Sequence, residues 1–146
     1  MKRRNFIQRL GVGALVLITP LSSFAAWIGE AFKATELSKA MDLAGVNNPE
    51  SSDLITFSTP EIAENGSIVP VSVSTDLPNV TSIILFVEKN PTPLTSQFEI
   101  TEDMEASISC RIRMGETSDV IAVVVSDGKA YKTTNTVKVT IGGCGG

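Results

Sequence analysis

The chain ends on Thr140-Ile141-Gly142-Gly143-Cys144-Gly145-Gly146, one thiol with two glycines on each side. Four of its last five residues lack a side chain, and glycine loses more backbone freedom on ordering than any other residue, so the stretch cannot pack a core. The composition predicts a mobile arm over residues 142–146 whose reactive atom is the sulfur of Cys144. Three backbone steps past Ile141 carry that sulfur ~10 Å beyond the last strand, and bare flanks let it enter a narrow active-site channel. An ordinary thiol is mostly protonated at neutral pH, and no residue of the tail promotes its ionisation. Activation must therefore come from a site that the thiol visits. The chemistry this suggests is carriage of a group on sulfur. A bridge to Cys110, or an incidental cysteine in a frayed end, are the bland alternatives.

Cys110 is the other cysteine. In the candidate strand Ala106–Met114 it shares parity with Ile108, Ile112 and Met114, while Ser107, Ser109, Arg111 and Arg113 share the opposite, solvated face. This predicts a core thiol that behaves as a small inert hydrophobe. A Cys110–Cys144 bridge would need Cα atoms within about 7 Å and a sulfur outside the core. The chain has no histidine, which excludes His-based metal sites, a Ser-His-Asp triad and the commonest general base at neutral pH. Two isolated cysteines cannot form a structural zinc or iron–sulfur site, and no phosphate loop occurs. Glu99, Glu102, Asp103 and Glu105 cluster, but without the glycine and spaced oxygen ligands of a calcium loop they read as a solvated loop. No catalytic residue, metal or cofactor is expected, and the chain reads as a carrier without catalysis of its own.

Several elements must position the arm. Lys2, Arg3, Arg4 and Arg9 precede an apolar run from Leu10 to Leu21 and the small residues up to Ala26, which reads as an export signal over residues 1–25. The Arg3-Arg4-Asn5-Phe6-Ile7 order fits a twin-arginine signal, with a general secretory signal as the alternative. Its removal takes four cations and no anions, shifting the formal net charge from −4 by four units to −8. Such an acidic protein is a poor partner for nucleic acid or an anionic membrane. Residues 26–53 hold a helix and linker, since Leu37, Ala40, Met41 and Ala44 follow helical spacing and Gly45 supplies a left-handed stop.

Over residues 54–141 the period changes to two. Candidate strands are Leu54–Ser58, Ile68–Thr75, Ser82–Glu88, Ser96–Thr101, Ala106–Met114, Asp119–Ser126, Ala130–Thr134 and Thr136–Ile141. Asn65-Gly66, Asn90-Pro91, Gly115 and Asp127-Gly128 mark turns. Seven or eight short strands imply an all-β, immunoglobulin-like sandwich with a short N-terminal helix. Two strands are apolar on both faces: Ile83, Leu85 and Val87 oppose Ile84 and Phe86, and Ile121, Val123 and Val125 oppose Val120, Ala122 and Val124. Ile84 and Phe86 on one strand and Val120 and Val124 on the other are read as the second face. Either the N-terminal helix or a docked protein covers it, and the two can coexist.

The segments "NGSIVPVSVSTDLPNVTSIILFVEKNPTP", "RIRMGETSDVIAVVVSDGKAY" and "VKVTIGGCGG" resemble the SoxY family, sulfur-compound carrier subunits of the periplasmic Sox sulfur-oxidation system. The terminal Gly-Gly-Cys-Gly-Gly is the most specific part of the likeness. The resemblance implies that Cys144 is the covalent attachment point for sulfur intermediates, with Gly142, Gly143, Gly145 and Gly146 as its arm. It also implies the immunoglobulin-like fold, a periplasmic location and a stable heterodimer with SoxZ. Transient visits to a SoxAX-type c-type cytochrome and a SoxB-type sulfate-releasing hydrolase follow as well. Cys110 lies outside the family motif. A secreted β-sandwich adhesion or assembly module is the alternative, and it leaves the glycine-flanked cysteine without a purpose.

Overall fold

The structure, a computed structural model, describes residues 29–140, so the expected signal and the arm with Cys144 lie outside the described residues. The described chain opens on a helical turn at 29–31 and then forms α1 (Leu37–Leu43). Gly45 follows it with φ +73, the left-handed stop that its position after Ala44 predicts. Nine strands come next: β1 (Glu50–Ser51), β2 (Ile55–Ser58), β3 (Ile62–Ala63), β4 (Val69–Thr75), β5 (Val80–Val87), β6 (Leu94–Glu99), β7 (Ser107–Ile112), β8 (Ser118–Ser126) and β9 (Lys129–Val139). They form a larger sheet in the order β1-β9-β8-β5-β6, with β3 also on β9, and a smaller sheet in the order β2-β4-β7. The short β1 and β3 run parallel to β9, while the other pairings are antiparallel. This is the immunoglobulin-like sandwich expected from the strand pattern.

Side-chain alternation divides the larger sheet between two cores. Ile83, Leu85 and Val87 of β5 and Val120, Ala122 and Val124 of β8 face the smaller sheet, where Val69, Val71, Val73 and Ile112 meet them. Ile84 and Phe86 of β5 and Ile121 and Val123 of β8 face the other way, against Ala31, Ala34, Ala40 and Val46 of the N-terminal segment. Phe86 is fully buried and Ile84 is 1% exposed, so the chain covers this face itself. The placement of a docked partner on Ile84 and Phe86 is therefore corrected. Val120 and Val124 are reassigned too: the register sets Val87 opposite Val120 and Ile83 opposite Val124, which puts those valines on the sandwich side.

Two further differences have local causes. The expected break near Asn135 does not occur, and β9 runs unbroken, because the Asn135 side chain crosses to the smaller sheet. Its Nδ2 donates to the Phe57 carbonyl (3.0 Å) and to Thr59 Oγ1 (3.2 Å), so a polar residue is satisfied inside a strand. The two-residue β1 and β3 are too short to show any period in sequence. The Asp127-Gly128 turn joins β8 to β9 with φ +49 and +75, the two left-handed residues that a tight hairpin needs.

Candidate functional site

The tail leaves the sandwich at the end of β9, and the described residues show how that exit is built. The β8–β9 ladder ends with Ser118 opposite Val137, two residues short of Val139. Beyond it the N–H of Lys138 donates to the Glu61 carbonyl (2.9 Å) and that of Thr140 to the Ala63 carbonyl (3.1 Å), both on the β3 side. The Val139 N–H, pointing to the opposite edge, donates to Thr117 Oγ1 at 3.0 Å. Three successive amides are thus held on alternating sides right up to the start of the tail.

Neighbouring turns are fastened to the same place. Asn90 Nδ2 donates to the Arg113 carbonyl (2.7 Å), and its Oδ1 accepts from the Gly115 N–H (3.1 Å). The Met114 N–H donates to the Gly66 carbonyl (2.7 Å). A Cβ on Gly66 would lie 2.3 Å from the Met114 oxygen and 2.9 Å from Val139 Cγ1, so only glycine permits this approach. Asn65-Gly66, Asn90-Pro91 and Gly115 are all legible as turns. Their convergence on the root of the tail is not legible, nor is the part played by Thr117. An open groove of about 770 Å³ runs beside the root, between Phe32, Asn65, Leu94, Arg113 and Thr140.

Cys144, Gly142, Gly143, Gly145 and Gly146 lie outside the described residues. Cys110 is a free thiol on β7, opposite Val71, packed against the sandwich core but only half-buried. The parity expectation holds, but the burial is less complete than expected because β7 is an edge strand. Burial pushes the Cys110 thiol pKa up, which favours the neutral, unreactive form. Arg111 and Arg113 are exposed, as are Glu99, Glu102, Asp103 and Glu105. Among the described residues, no group of three or more His, Cys, Asp or Glu side chains is placed to hold a metal ion. No described helix is long and apolar enough to cross a membrane.

The overall fold of the chain is similar to that of solved structures. A superoxide reductase (neelaredoxin) from Ignicoccus hospitalis matches with TM-score 0.54 at 13% identity, over 64% of this chain and 83% of that one, a likeness of fold alone. The sulfur carrier protein SoxY from Chlorobium limicola f thiosulfatophilum matches with TM-score 0.64 at 36% identity, over 77% of this chain and 99% of that one. No curated protein matches the chain. Residues 40–144 match the family described as sulfur oxidation protein SoxY, and the chain belongs to that family.

Proposed function

We propose that the protein is a covalent carrier of sulfur-oxidation intermediates on the thiol of Cys144. The observation that carries this reading is the extent of the family match, which runs through the sandwich and ends on residue 144, the cysteine between the two glycine pairs. The solved SoxY relative is itself a sulfur carrier protein, which supports the same role. Chemically, the tail supplies a soft nucleophile and the sandwich supplies a stable base.

Loading with thiosulfate removes two electrons. The Cys144 thiol and thiosulfate form an S–S bond, giving cysteine-S-thiosulfonate, one proton and two electrons, and a c-type cytochrome takes the electrons. Hydrolysis then breaks the S–SO₃ bond. Water supplies the fourth oxygen of sulfate, two protons are released, and the persulfide anion remains on Cys144. Neither step calls for a catalytic group on this chain, which acts as the substrate-bearing partner. Tethering raises the effective concentration of the intermediate at each site it visits.

The arm comprises residues 142–146, and the glycines on either side of Cys144 leave its backbone free of steric restriction. Residues 1–25 act as a twin-arginine export signal, which places the mature protein in the periplasm. SoxZ is the stable partner, and a SoxAX-type cytochrome and a SoxB-type hydrolase are transient ones. Since the chain covers Ile84 and Phe86 itself, SoxZ binds another surface. The test is Cys144→Ser, which keeps the size of the side chain and removes the nucleophile. Thiosulfate-dependent electron uptake by the purified cytochrome should disappear, while SoxZ binding and folding survive. Undiminished electron uptake with the serine variant would refute the assignment.

A further inference from the structure

We infer that β7 is an interface strand, along which a second copy of this chain pairs antiparallel about a two-fold axis at Ser109. Such pairing does not depend on the carrier role. β7 ends the smaller sheet, with β4 on one side and no described strand on the other. It pairs with β4 over six consecutive residues without a shift. The other sheet edges are poorer templates: β1 and β3 have two residues each, β2 has four, and the β5–β6 register shifts at Leu85 and Phe86. The Thr75 N–H donates to the Ala106 carbonyl (3.1 Å), and antiparallel pairs alternate, so Ile108, Cys110 and Ile112 turn their backbone groups to β4. Those of Ser107, Ser109 and Arg111 point outward, and all three residues are exposed. The Ser107 N–H already donates to the Glu105 carbonyl (2.8 Å), which leaves its own carbonyl and both groups of Ser109 and Arg111 available.

What selects a second copy is the order of charges along this edge. Glu105 stands two residues before β7 and Arg113 one residue after it, and Arg111 is the only charged residue within it. With Ser109 opposite its own copy, an antiparallel partner sets Ser107 against Arg111 and Glu105 against Arg113, each twice by symmetry. The outward backbone groups then meet: the two Ser109 residues exchange N–H to carbonyl bonds, and each Arg111 N–H reaches a Ser107 carbonyl. On the sandwich side the half-buried Ile108 and Cys110 come opposite each other and gain cover. An in-register parallel copy would instead set Glu105 against Glu105 and Arg113 against Arg113, which repels. Among the described residues neither Arg111 nor Arg113 has an ion-pair partner, and the one salt bridge joins Lys33 to Glu30.

The test is analytical ultracentrifugation of the full exported protein over a dilution series, under reducing conditions so that no intermolecular disulfide contributes. The native protein should dimerise with a Kd below about 0.1 mM. Glu105→Lys and Arg113→Glu should each weaken dimerisation about 10-fold by turning two attractive pairs into two repulsive ones, and the double variant should recover the native value. Ser109→Pro removes the central donor, which β4 does not use, and should leave a monomer. Both charge positions are exposed, so the charge variants decide the question whatever proline does to the strand. Hydrogen exchange at Ser109 and Arg111 should slow as concentration rises, while exchange at Gln97 and Glu99 on β6 stays unchanged. A native protein that remains monomeric, no recovery in the double variant, or dimerisation untouched by Ser109→Pro would overturn the inference. So would loss of the dimer on adding SoxZ with Ser109 and Arg111 still protected, which would assign the edge to that partner.

Discussion

Truncating Phe86 to alanine in the isolated chain tests what covers the outer face of the larger sheet. Phe86 is fully buried among Ile84, Leu94, Ile121 and Val123 of the sheet and Ala31, Ala34 and Ala40 of the N-terminal segment. Burying a phenylalanine side chain contributes about 1.5–3 kcal/mol. The cavity left by truncation adds to that, and Phe→Ala changes in closed cores cost about 3–5 kcal/mol. A bare face awaiting a partner would lose almost nothing in the free protein, since the side chain would already be in water. Urea unfolding followed by far-ultraviolet circular dichroism separates the cases. With a slope of ~1.5 kcal/mol per molar, the covered face predicts a midpoint lowered by about 2–3 M at unchanged slope. A shift under about 0.5 M, in a variant that no longer binds SoxZ, would refute the covered face and restore the docked-partner placement.

Other expectations follow from single contacts. Cys110→Ala should keep sulfur loading and lose about 1 kcal/mol, since the removed sulfur is small and half-buried; abolished loading in a folded variant would contradict its structural role. The raised thiol pKa of Cys110 means that the fold favours the neutral form. Its contribution is present at pH values below the ordinary thiol range and is lost as pH rises through the raised folded value, so alkaline destabilisation should be smaller in Cys110→Ala when unfolding is followed against pH. Asn135→Leu removes both donations to Phe57 and Thr59, leaving their acceptors without this donor, and should cost about 1–3 kcal/mol in thermal unfolding. Valine at Gly143 and Gly145 should slow turnover by partner enzymes while small-reagent alkylation of Cys144 proceeds as before, separating access from reactivity.

The sandwich was legible because its strands carry period-two patterns and its turns carry residues with specific backbone demands, as at Asp127-Gly128. Helix α1 was legible through Leu37, Ala40, Met41 and Ala44. Sequence could show that β5 and β8 are apolar on both faces, but it could not align them. Alternation assigns residues to opposite faces of each strand without saying which face of one strand joins which face of its neighbour, so Val120 and Val124 were set on the wrong side. The register of Val87 against Val120 decides it. Asn135 reads as a break between two strands because its side-chain partners are 76 and 78 residues away. The cysteine of the candidate site was visible through composition alone. The structure of its root was not, because Thr117, Ala63 and Gly66 come together only through the pairing of β3 and β8 with β9.

The carrier account stands most directly on the state of one sulfur. Protein isolated from its source during growth on thiosulfate, digested under non-reducing conditions and measured by intact-peptide mass spectrometry, reports what the C-terminal peptide carries. The account predicts persulfide and S-thiosulfonate adducts on Cys144, lost on reduction, with Cys110 unmodified. A free Cys144 thiol throughout active sulfur oxidation, or the adducts on Cys110 instead, would contradict it.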